Sequence, residues 1–257
     1  MKTARNKRRP KFISTDPVWE ATKDARQSIG HDAAVQESFY LTKQFYTLWG
    51  HVVPKSPVDL HSILRTLTEK KIPFVLTGAH GIGGWTGRPR STKDVDILVK
   101  AGRNHVRAVN AMKALYPELE VQDHGGVIAF NVPGEKESVI DVTYPLRADQ
   151  EETLSNPTWT ENTELGLRYR VPSLEEALAN KYGAMLTPAR ASRKRRQDII
   201  DFEYMVQHSL DKGRNAIDLD RLVVLGEKVW PGGGGKEIHR LVEEVKAGNA
   251  IQLDSLG

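Results

Sequence analysis

The sequence predicts a mixed α/β (α+β) fold, in which a mixed sheet with flanking helices is followed by a helical C-terminal domain. Up to about residue 147, short apolar runs typical of strands occur among segments with helical spacing. Beyond Pro172 only helical patterns follow. The chain has 257 residues, enough for one large domain or two small ones. We therefore divide it into a basic arm (1–31), a core with N-terminal helices (32–171) and a helical domain (172–257).

The arm is strongly basic and is predicted to be disordered. Six Lys or Arg residues lie within its first eleven positions, whereas the whole chain has a formal net charge of +4 and a pI near 9.1. Without the arm, the remaining chain is close to neutral. Such a run either contacts the phosphates of a nucleic acid or remains a solvated tail.

Composition excludes several classes of protein. The chain has no cysteine, which rules out disulfides, thiolate zinc sites and cysteine nucleophiles. A metal must therefore bind oxygen or imidazole, and the eight histidines show no His-x-x-x-His spacing. No apolar run approaches the roughly 20 residues of a membrane helix, and the N-terminus is charged where a secretory signal needs apolar residues. We expect a cytoplasmic protein with no membrane partner.

Two helices are predicted before the first strand. Residues 32–49 have apolar residues close to helical spacing, and Gly50 ends that helix. Ser56 is the predicted N-cap of the second helix, with Pro57 at its first position. The apolar stripe of this second helix consists of Leu60, Ile63, Leu64 and Leu67.

The next part of the chain predicts the sheet. Residues 73–77 form an apolar run bounded by proline and glycine, which predicts a strand buried on both faces, and residues 95–100 predict a second strand. A hairpin is predicted from strands at 127–132 and 138–144, joined by a Pro-Gly-Glu-Lys turn. Between them, residues 103–115 predict a helix. Its expected buried face is Val106, Val109, Met112 and Leu115.

The C-terminal part is predicted to be helical. Residues 149–170 are polar and poorly patterned, apart from a candidate strand at 167–171. Ser173 and Glu176 form a capping box that starts the first helix of this part. The predicted helices lie at 173–186, 194–208, 218–229 and 236–247, the last two separated by a Pro-Gly-Gly-Gly-Gly linker.

Two aspartates stand at the mouth of the second strand. Because Asp94 and Asp96 are two residues apart, their side chains point to the same side of a sheet and can reach one cation. Neighbouring carboxylates repel one another unless a cation compensates them, and magnesium prefers such hard oxygen ligands. The alternative is a solvated Asp-Val-Asp turn in which Val95 alone enters the core.

The segment before these aspartates is suited to phosphate. Gly78, Gly81, Gly83 and Gly84 follow a strand and precede a short predicted helix, where glycine lets backbone N–H groups approach a phosphate. Such loops also occur as ordinary tight turns. A run of donors and positive charges then precedes the acidic pair. It consists of Arg88, Arg90, Ser91, Thr92 and Lys93, and His80 lies within the glycine segment.

A third carboxylate, Asp141, interrupts the alternating apolar residues of the hairpin strand. If this strand lies beside the one that carries Asp94 and Asp96, the three carboxylates form one cluster. Such a cluster supports two-metal chemistry. The alternative is an edge-strand aspartate that faces water, in which case Glu137 is the nearest other ligand on the strand.

The segment GRPRSTKDVDILV resembles the nucleotidyltransferase superfamily related to DNA polymerase beta, in particular the branch of abortive-infection and type IV toxin–antitoxin toxins. The resemblance covers about residues 60–205. It implies that Asp94, Asp96 and Asp141 are the metal ligands. It also implies phosphate contacts, which fall on Arg90 and Thr92. The family's Gly-Gly or Gly-Ser turn corresponds here to Gly78 and Ala79, with a second glycine pair at 83–84.

The same resemblance extends into the helical part. ALANKYGAML matches the helix that places a lysine near the nucleotide, here Lys181, and RKRRQDIIDF matches an Arg-x-x-Asp helix. The corresponding contacts are Arg196, Asp198 and Asp201. Alternatively, Lys181 is a surface residue and Asp198 pairs with Lys194 one turn earlier. The basic run 193–196 opposes the dipole at its helix N-terminus, which an RNA or nucleotide partner would explain, and the alternative is a solvated face.

These assignments imply a metal-dependent nucleotidyltransferase. It would use Mg²⁺ or Mn²⁺ to move a nucleoside monophosphate from a nucleoside triphosphate, ATP included, to an acceptor hydroxyl, and release pyrophosphate. The resemblance leaves tRNA ends, a protein hydroxyl and an aminoglycoside open as acceptors, and implies a cognate antitoxin as a partner. The alternative from another class is a non-catalytic nucleotide- or RNA-binding protein, for which paired metal carboxylates have no evident use.

Overall fold

The computed structural model describes residues 58–87, 92–162, 166–210 and 216–252. Its helices are α1 (Leu60–Glu69), α2 (Gly78–Thr86), α3 (Arg103–Leu115), α4 (Ala148–Ser155), α5 (Leu174–Leu186), α6 (Ser192–Ser209), α7 (Leu219–Val229) and α8 (Gly234–Lys246). Its strands are β1 (Phe74–Thr77), β2 (Val95–Val99), β3 (Glu120–Asp123), β4 (Val127–Asn131), β5 (Ser138–Thr143), β6 (Thr158–Asn162) and β7 (Leu167–Val171). The predicted arm and the helix at 32–49 lie outside these residues. Within them, no helix is long and apolar enough to cross a membrane.

A five-stranded mixed sheet forms the first half, which confirms the predicted fold class. Its strand order is β1-β2-β5-β4-β3, and β2 and β5 are the parallel pair, whereas the other neighbours are antiparallel. The central strands are apolar because both of their faces are covered: α3 packs against β2 and β5, and α2 packs against β1 and β2. Strands β6 and β7 form a separate two-stranded sheet.

Helix α1 starts later than the Ser56 cap predicts. Asp59 is its N-cap, and the Asp59 carboxylate accepts a hydrogen bond from the backbone N–H of Ser62 at 3.0 Å. Ser56 and Pro57 lie outside the described residues. The predicted stripe of α1 is confirmed, since all four of its apolar residues are buried.

Helix α3 has the predicted bounds, and most of its predicted buried face is confirmed. Val109 and Met112 are buried, and Leu115 is partly buried against the same core. The prediction is wrong for Val106, which is 56% exposed. Ala108 and Ala111, which the sequence pattern did not include, complete the buried face.

The second half is a helical cluster with its own apolar core. Helix α5 begins with the predicted capping box of Ser173 and Glu176, and α6 and α7 also lie where the sequence pattern predicts them. Helix α2 connects the two halves: it follows β1 directly, and its Ile82 and Trp85 belong to the helical core. The Trp85 indole N–H donates to the carbonyl oxygen of Pro172 at 2.9 Å.

Two glycine-rich segments are helical where a loop and a linker were predicted. Gly81, Gly83 and Gly84 lie inside α2, because a helix there can approach β1 closely: a Cβ at Gly81 would lie 2.2 Å from the carbonyl oxygen of Leu76. The predicted linker before the last helix instead supplies the first two residues of α8. A Cβ at Gly234 would lie 2.1 Å from the carbonyl oxygen of Gly226, so α7 and α8 cross at backbone contact.

Candidate active site

The three aspartates meet at one end of the parallel strand pair. Asp96 on β2 is directly opposite Asp141 on β5, and Asp94 immediately precedes β2. Val95, between the two neighbouring aspartates, is buried in the sheet core. The pairing that would bring Asp141 to the other two carboxylates is therefore present. All three carboxylates line the same cleft.

The carboxylates are placed where negative charge is unfavourable. Burial, followed by the charges of Asp94 and Asp141, raises the pKa of Asp96 to about 8, against the lowering effects of Lys181 and Arg190. Burial also raises the pKa of Asp141. Within the described part of the chain, one buried oxygen of Asp141 has no hydrogen-bond partner.

These features fit a divalent cation, because the unpaired oxygen of Asp141 would coordinate it and its positive charge would offset the repulsion between the carboxylates. Among the described residues, no group of three or more Asp, Glu, His or Cys side chains is arranged to hold a metal alone. Magnesium does not require such a cage. It is commonly held by one or two carboxylates together with water and substrate phosphates.

Gly78 is the glycine that the turn before α2 requires. Its φ is +61°, and a Cβ there would lie 1.8 Å from Oδ2 of Asp96. Gly78 and Ala79 therefore occupy the predicted turn, and both line the cleft. The glycine pair at 83–84 is buried within α2, and His80 is also buried and does not line the cleft. Phosphate would meet the first backbone N–H groups of α2 rather than a glycine loop.

Thr92 supports the carboxylates instead of facing the cleft. Its hydroxyl donates a short hydrogen bond to Oδ1 of Asp94, and its side chain is buried. This hydrogen bond holds the carboxylate of Asp94 in position. The proposed phosphate contacts of Arg88, Arg90 and Ser91 lie outside the described residues and stay predictions.

The opposite wall of the cleft holds a group of paired charges. The ammonium group of Lys181, on α5, lies 2.9 Å from Asp198 Oδ1 and 2.7 Å from Asp201 Oδ2, both on α6. Arg190 donates from Nε and Nη2 to the two oxygens of Asp198, and Gln197 donates to Asp201 at 3.0 Å. Lys181 and both aspartates are buried. The alternatives of a surface lysine and an Asp198–Lys194 pair are therefore wrong.

The basic run at the start of α6 lies beside this group. Lys194 lines the cleft, and its charge lowers the pKa of Asp141 in opposition to burial. Arg195 is anchored, because its Nε donates to the carbonyl oxygen of Met185 at 2.7 Å. Arg193 and Arg196 are exposed, and Arg196 does not line the cleft.

The cleft between these walls has a volume of about 700 Å³, within the usual range for a small-molecule site. Several polar residues that the sequence interpretation missed also line it. They are Thr143, Arg147, Gln150, Asn180, Arg190 and Gln197. Arg190 alone carried a signal, since it lies just before the Arg-x-x-Asp helix. The others come from separate elements that no local spacing connects.

Comparison with known proteins points to one family. The family model described as nucleotidyl transferase AbiEii toxin, type IV toxin–antitoxin system, matches residues 62–228. None of the curated proteins matches the sequence.

Several solved structures show limited similarity. An antigenic nucleotidyltransferase-like protein from Paracoccidioides brasiliensis has a TM-score of 0.43 at 17% identity, over 72% of this chain and 90% of that one. The antibiotic-resistance factor ANT(2'')-Ia has a TM-score of 0.43 at 16% identity, over 65% of this chain and 86% of that one. The protein JHP933 from Helicobacter pylori has a TM-score of 0.40 at 15% identity, over 73% of this chain and 86% of that one. At these TM-scores, the likenesses say nothing about the substrate of this chain.

Proposed function

The chain belongs to the AbiEii family of nucleotidyltransferase toxins of type IV toxin–antitoxin systems, and from this we propose a specific reaction for it. It transfers a nucleoside monophosphate from a nucleoside triphosphate to an acceptor hydroxyl on RNA, with Mg²⁺ or Mn²⁺ at Asp94, Asp96 and Asp141. The observation that carries this proposal is the side-by-side placement of the Asp96 and Asp141 carboxylates, which share one cleft with the ion-paired cations Lys181 and Arg190.

The side of the cleft that carries Lys181 and Arg190 is suited to hold the triphosphate. Lys181 and Arg190 supply positive charge opposite the aspartates, and their buried carboxylate partners hold them in place. Backbone N–H groups at the start of α2 would add donors on the other side. A bound divalent cation would supply charge neutralisation at the phosphates and orient the attacking and leaving oxygens.

In the transfer step, the acceptor oxygen forms a bond to the α-phosphorus while the bond from that phosphorus to the pyrophosphate oxygen breaks. The hydroxyl proton goes to the carboxylate of Asp141, a residue that lines the cleft. Pyrophosphate leaves along the wall of Lys181 and Arg190. Thr92 keeps the carboxylate of Asp94 in position throughout.

The acceptor class follows from the start of α6. Positive charge at a helix N-terminus opposes the helix dipole, so the basic run is unfavourable there apart from the contact of Arg195 with Met185. Lys194 nevertheless lines the cleft, and Arg193 and Arg196 are exposed on the same helix although they do not line the cleft. A phosphate backbone that reaches the cleft would be attracted by all three charges. RNA is thus favoured over a protein hydroxyl or an aminoglycoside, and a cognate antitoxin is the expected regulatory partner.

The test is a transfer assay with α-labelled nucleoside triphosphates, one at a time, with magnesium and total RNA. We expect one or more nucleotides to label RNA, with no label transferred by Asp96→Asn purified in the same way. Label on protein, or label that still appears with Asp96→Asn, would contradict the proposal. A nucleotide that binds but is never transferred would favour the non-catalytic alternative.

A further inference from the structure

A second cavity adjoins the cleft and has no part in the mechanism above. It has a volume of about 370 Å³ and is formed where the ends of α5 and α7 meet the start of α4. Its lining residues are Arg147, Gly183, Leu186, Thr187, Pro188, Val229 and Trp230. Two of these, Arg147 and Thr187, also line the cleft. This cavity therefore lies next to the cleft, and we call it the side pocket.

One wall of the side pocket is the guanidinium group of Arg147, and the structure fixes its position. Its Nε and Nη2 each donate to the carboxylate of Asp149 at 2.9 Å, and Asp149 is 1% exposed. The group also lies against the backbone of α5, since a Cβ at Gly183 would be 2.5 Å from Nη2. The ion pair with Asp149 therefore holds the planar guanidinium in a fixed position beside the side pocket.

The other wall is the indole of Trp230, which is 43% exposed. Its backbone is held on both sides, because its N–H donates to Gly226 at 3.0 Å and its carbonyl accepts from Gly234 at 2.8 Å. The backbone crossing of Gly226 and Gly234 brings α8 directly behind it. These contacts fix the backbone of Trp230 beside the side pocket, while its side chain remains partly in water.

We propose that the side pocket binds an unpaired nucleobase of the RNA acceptor, which stacks on Trp230 and contacts the planar guanidinium of Arg147. Single-stranded RNA is commonly bound in this way, with unstacked bases on aromatic rings and arginine planes. This inference rests on the proposed function for the identity of the acceptor. The side pocket has about half the volume of the cleft, which suits one base with its sugar, while the cleft holds the donor triphosphate.

The kinetic test compares Trp230→Leu with Trp230→Phe and with Val224→Ala. Val224 is 56% exposed on the same helix and lines neither cavity, so it controls for effects on α7 itself. With a short single-stranded RNA as acceptor, Trp230→Leu should raise the KM for RNA about tenfold, and Trp230→Phe should keep most of the affinity. The KM for the nucleoside triphosphate should not change. A rise in that KM instead would place the donor base in the side pocket and overturn the inference.

A binding test separates this inference from the proposed reaction. Labelled single-stranded RNA and a blunt RNA duplex are titrated with Asp96→Asn and with Asp96→Asn/Trp230→Leu, both checked for folding by circular dichroism. We expect the second substitution to weaken binding of the single strand about tenfold and of the duplex much less. Gly183→Ala, which displaces Arg147, should act in the same direction. If the loss occurs although the wild type never shows transfer, the side pocket stands and the reaction fails. Equal binding of the single strand by both proteins would overturn the side pocket.

Discussion

The two walls of the cleft carry charge in opposite ways. On the sheet, Asp94, Asp96 and Asp141 lie together, and burial, followed by the charges of Asp94 and Asp141, raises the pKa of Asp96 against the lowering effects of Lys181 and Arg190. On the helices, Lys181 and Arg190 are matched by two buried aspartates. The aspartates on the sheet would gain compensating charge only when a metal and a triphosphate bind. The cations Lys181 and Arg190 already have carboxylate partners in the free protein. The same kind of substitution should therefore have opposite effects on stability in the two places.

The largest expected effect is the loss of activity in Asp96→Asn. Transfer should fall by at least about a thousandfold, since a metal ligand is lost, while the melting temperature of the metal-free protein should stay equal or rise because repulsion is relieved. A transfer assay and a circular dichroism melt on one sample would measure both. Asp94→Asn should behave alike. Normal activity in either variant would refute the metal site.

Asp141→Ala should affect turnover more than binding. If Asp141 accepts the proton of the acceptor, kcat should fall about a hundredfold or more. Binding of the nucleoside triphosphate should change only a few-fold, because Lys181, Arg190 and the start of α2 remain. Single-turnover rates and fluorescence titration of a nucleotide would separate the two quantities. A variant with unchanged turnover would remove Asp141 from the site.

On the helical wall, Asp198→Ala should unfold more easily than the wild type. It leaves Lys181 and Arg190 without their shared carboxylate, and removal of one partner from such a buried pair costs about 3 kcal/mol. Lys194→Ala is the matched control, since it removes an exposed charge from the same helix. Urea denaturation would measure both variants. Equal stability of all three proteins would show that the helical wall is not the balanced cluster described above.

The smallest effect concerns pH. The pKa of Asp96 is raised from 3.8 in a free side chain to about 8 in the folded protein, mainly by burial and then by its acidic neighbours. The folded state therefore holds this proton more tightly. Its contribution to stability is fully present below about pH 4 and is lost as the pH rises through about 8.

In the absence of divalent cations, the wild type should lose free energy of unfolding relative to Asp96→Asn between pH 5 and pH 8. Added magnesium with nucleotide should reduce the difference at the upper end. Denaturation curves at several pH values would decide this, and parallel pH profiles for the two proteins would contradict it.

Much of the acidic wall was accessible from the sequence because its signals are local. Two carboxylates two residues apart on a strand must share a side, and Asp141 stands out as the one charge in an alternating apolar strand. The start of α5 was equally clear from its capping box. These features depend on residues that lie within one element or on two adjacent strands.

The parts that sequence missed depend on contacts between distant elements. Strand β3 and helix α4 are polar and therefore show little apolar periodicity. Strand β6 lies in the same polar segment as α4 and was not predicted either. Helix α2 was missed because glycine disfavours helices, although close packing on β1 outweighs that preference here. Arg147 reaches both cavities only through the fold, and nothing in its neighbouring sequence indicates it.

Helix α2 also limits how substrates can enter. Its first residue touches Asp96, whereas Trp85 near its other end donates to Pro172 and packs in the helical core. The helix therefore contacts both sides of the cleft. A hinge movement at Pro172 would have to break that hydrogen bond or drag the start of α2 away from Asp96. Movement of the two sides apart would therefore be opposed at both ends of α2.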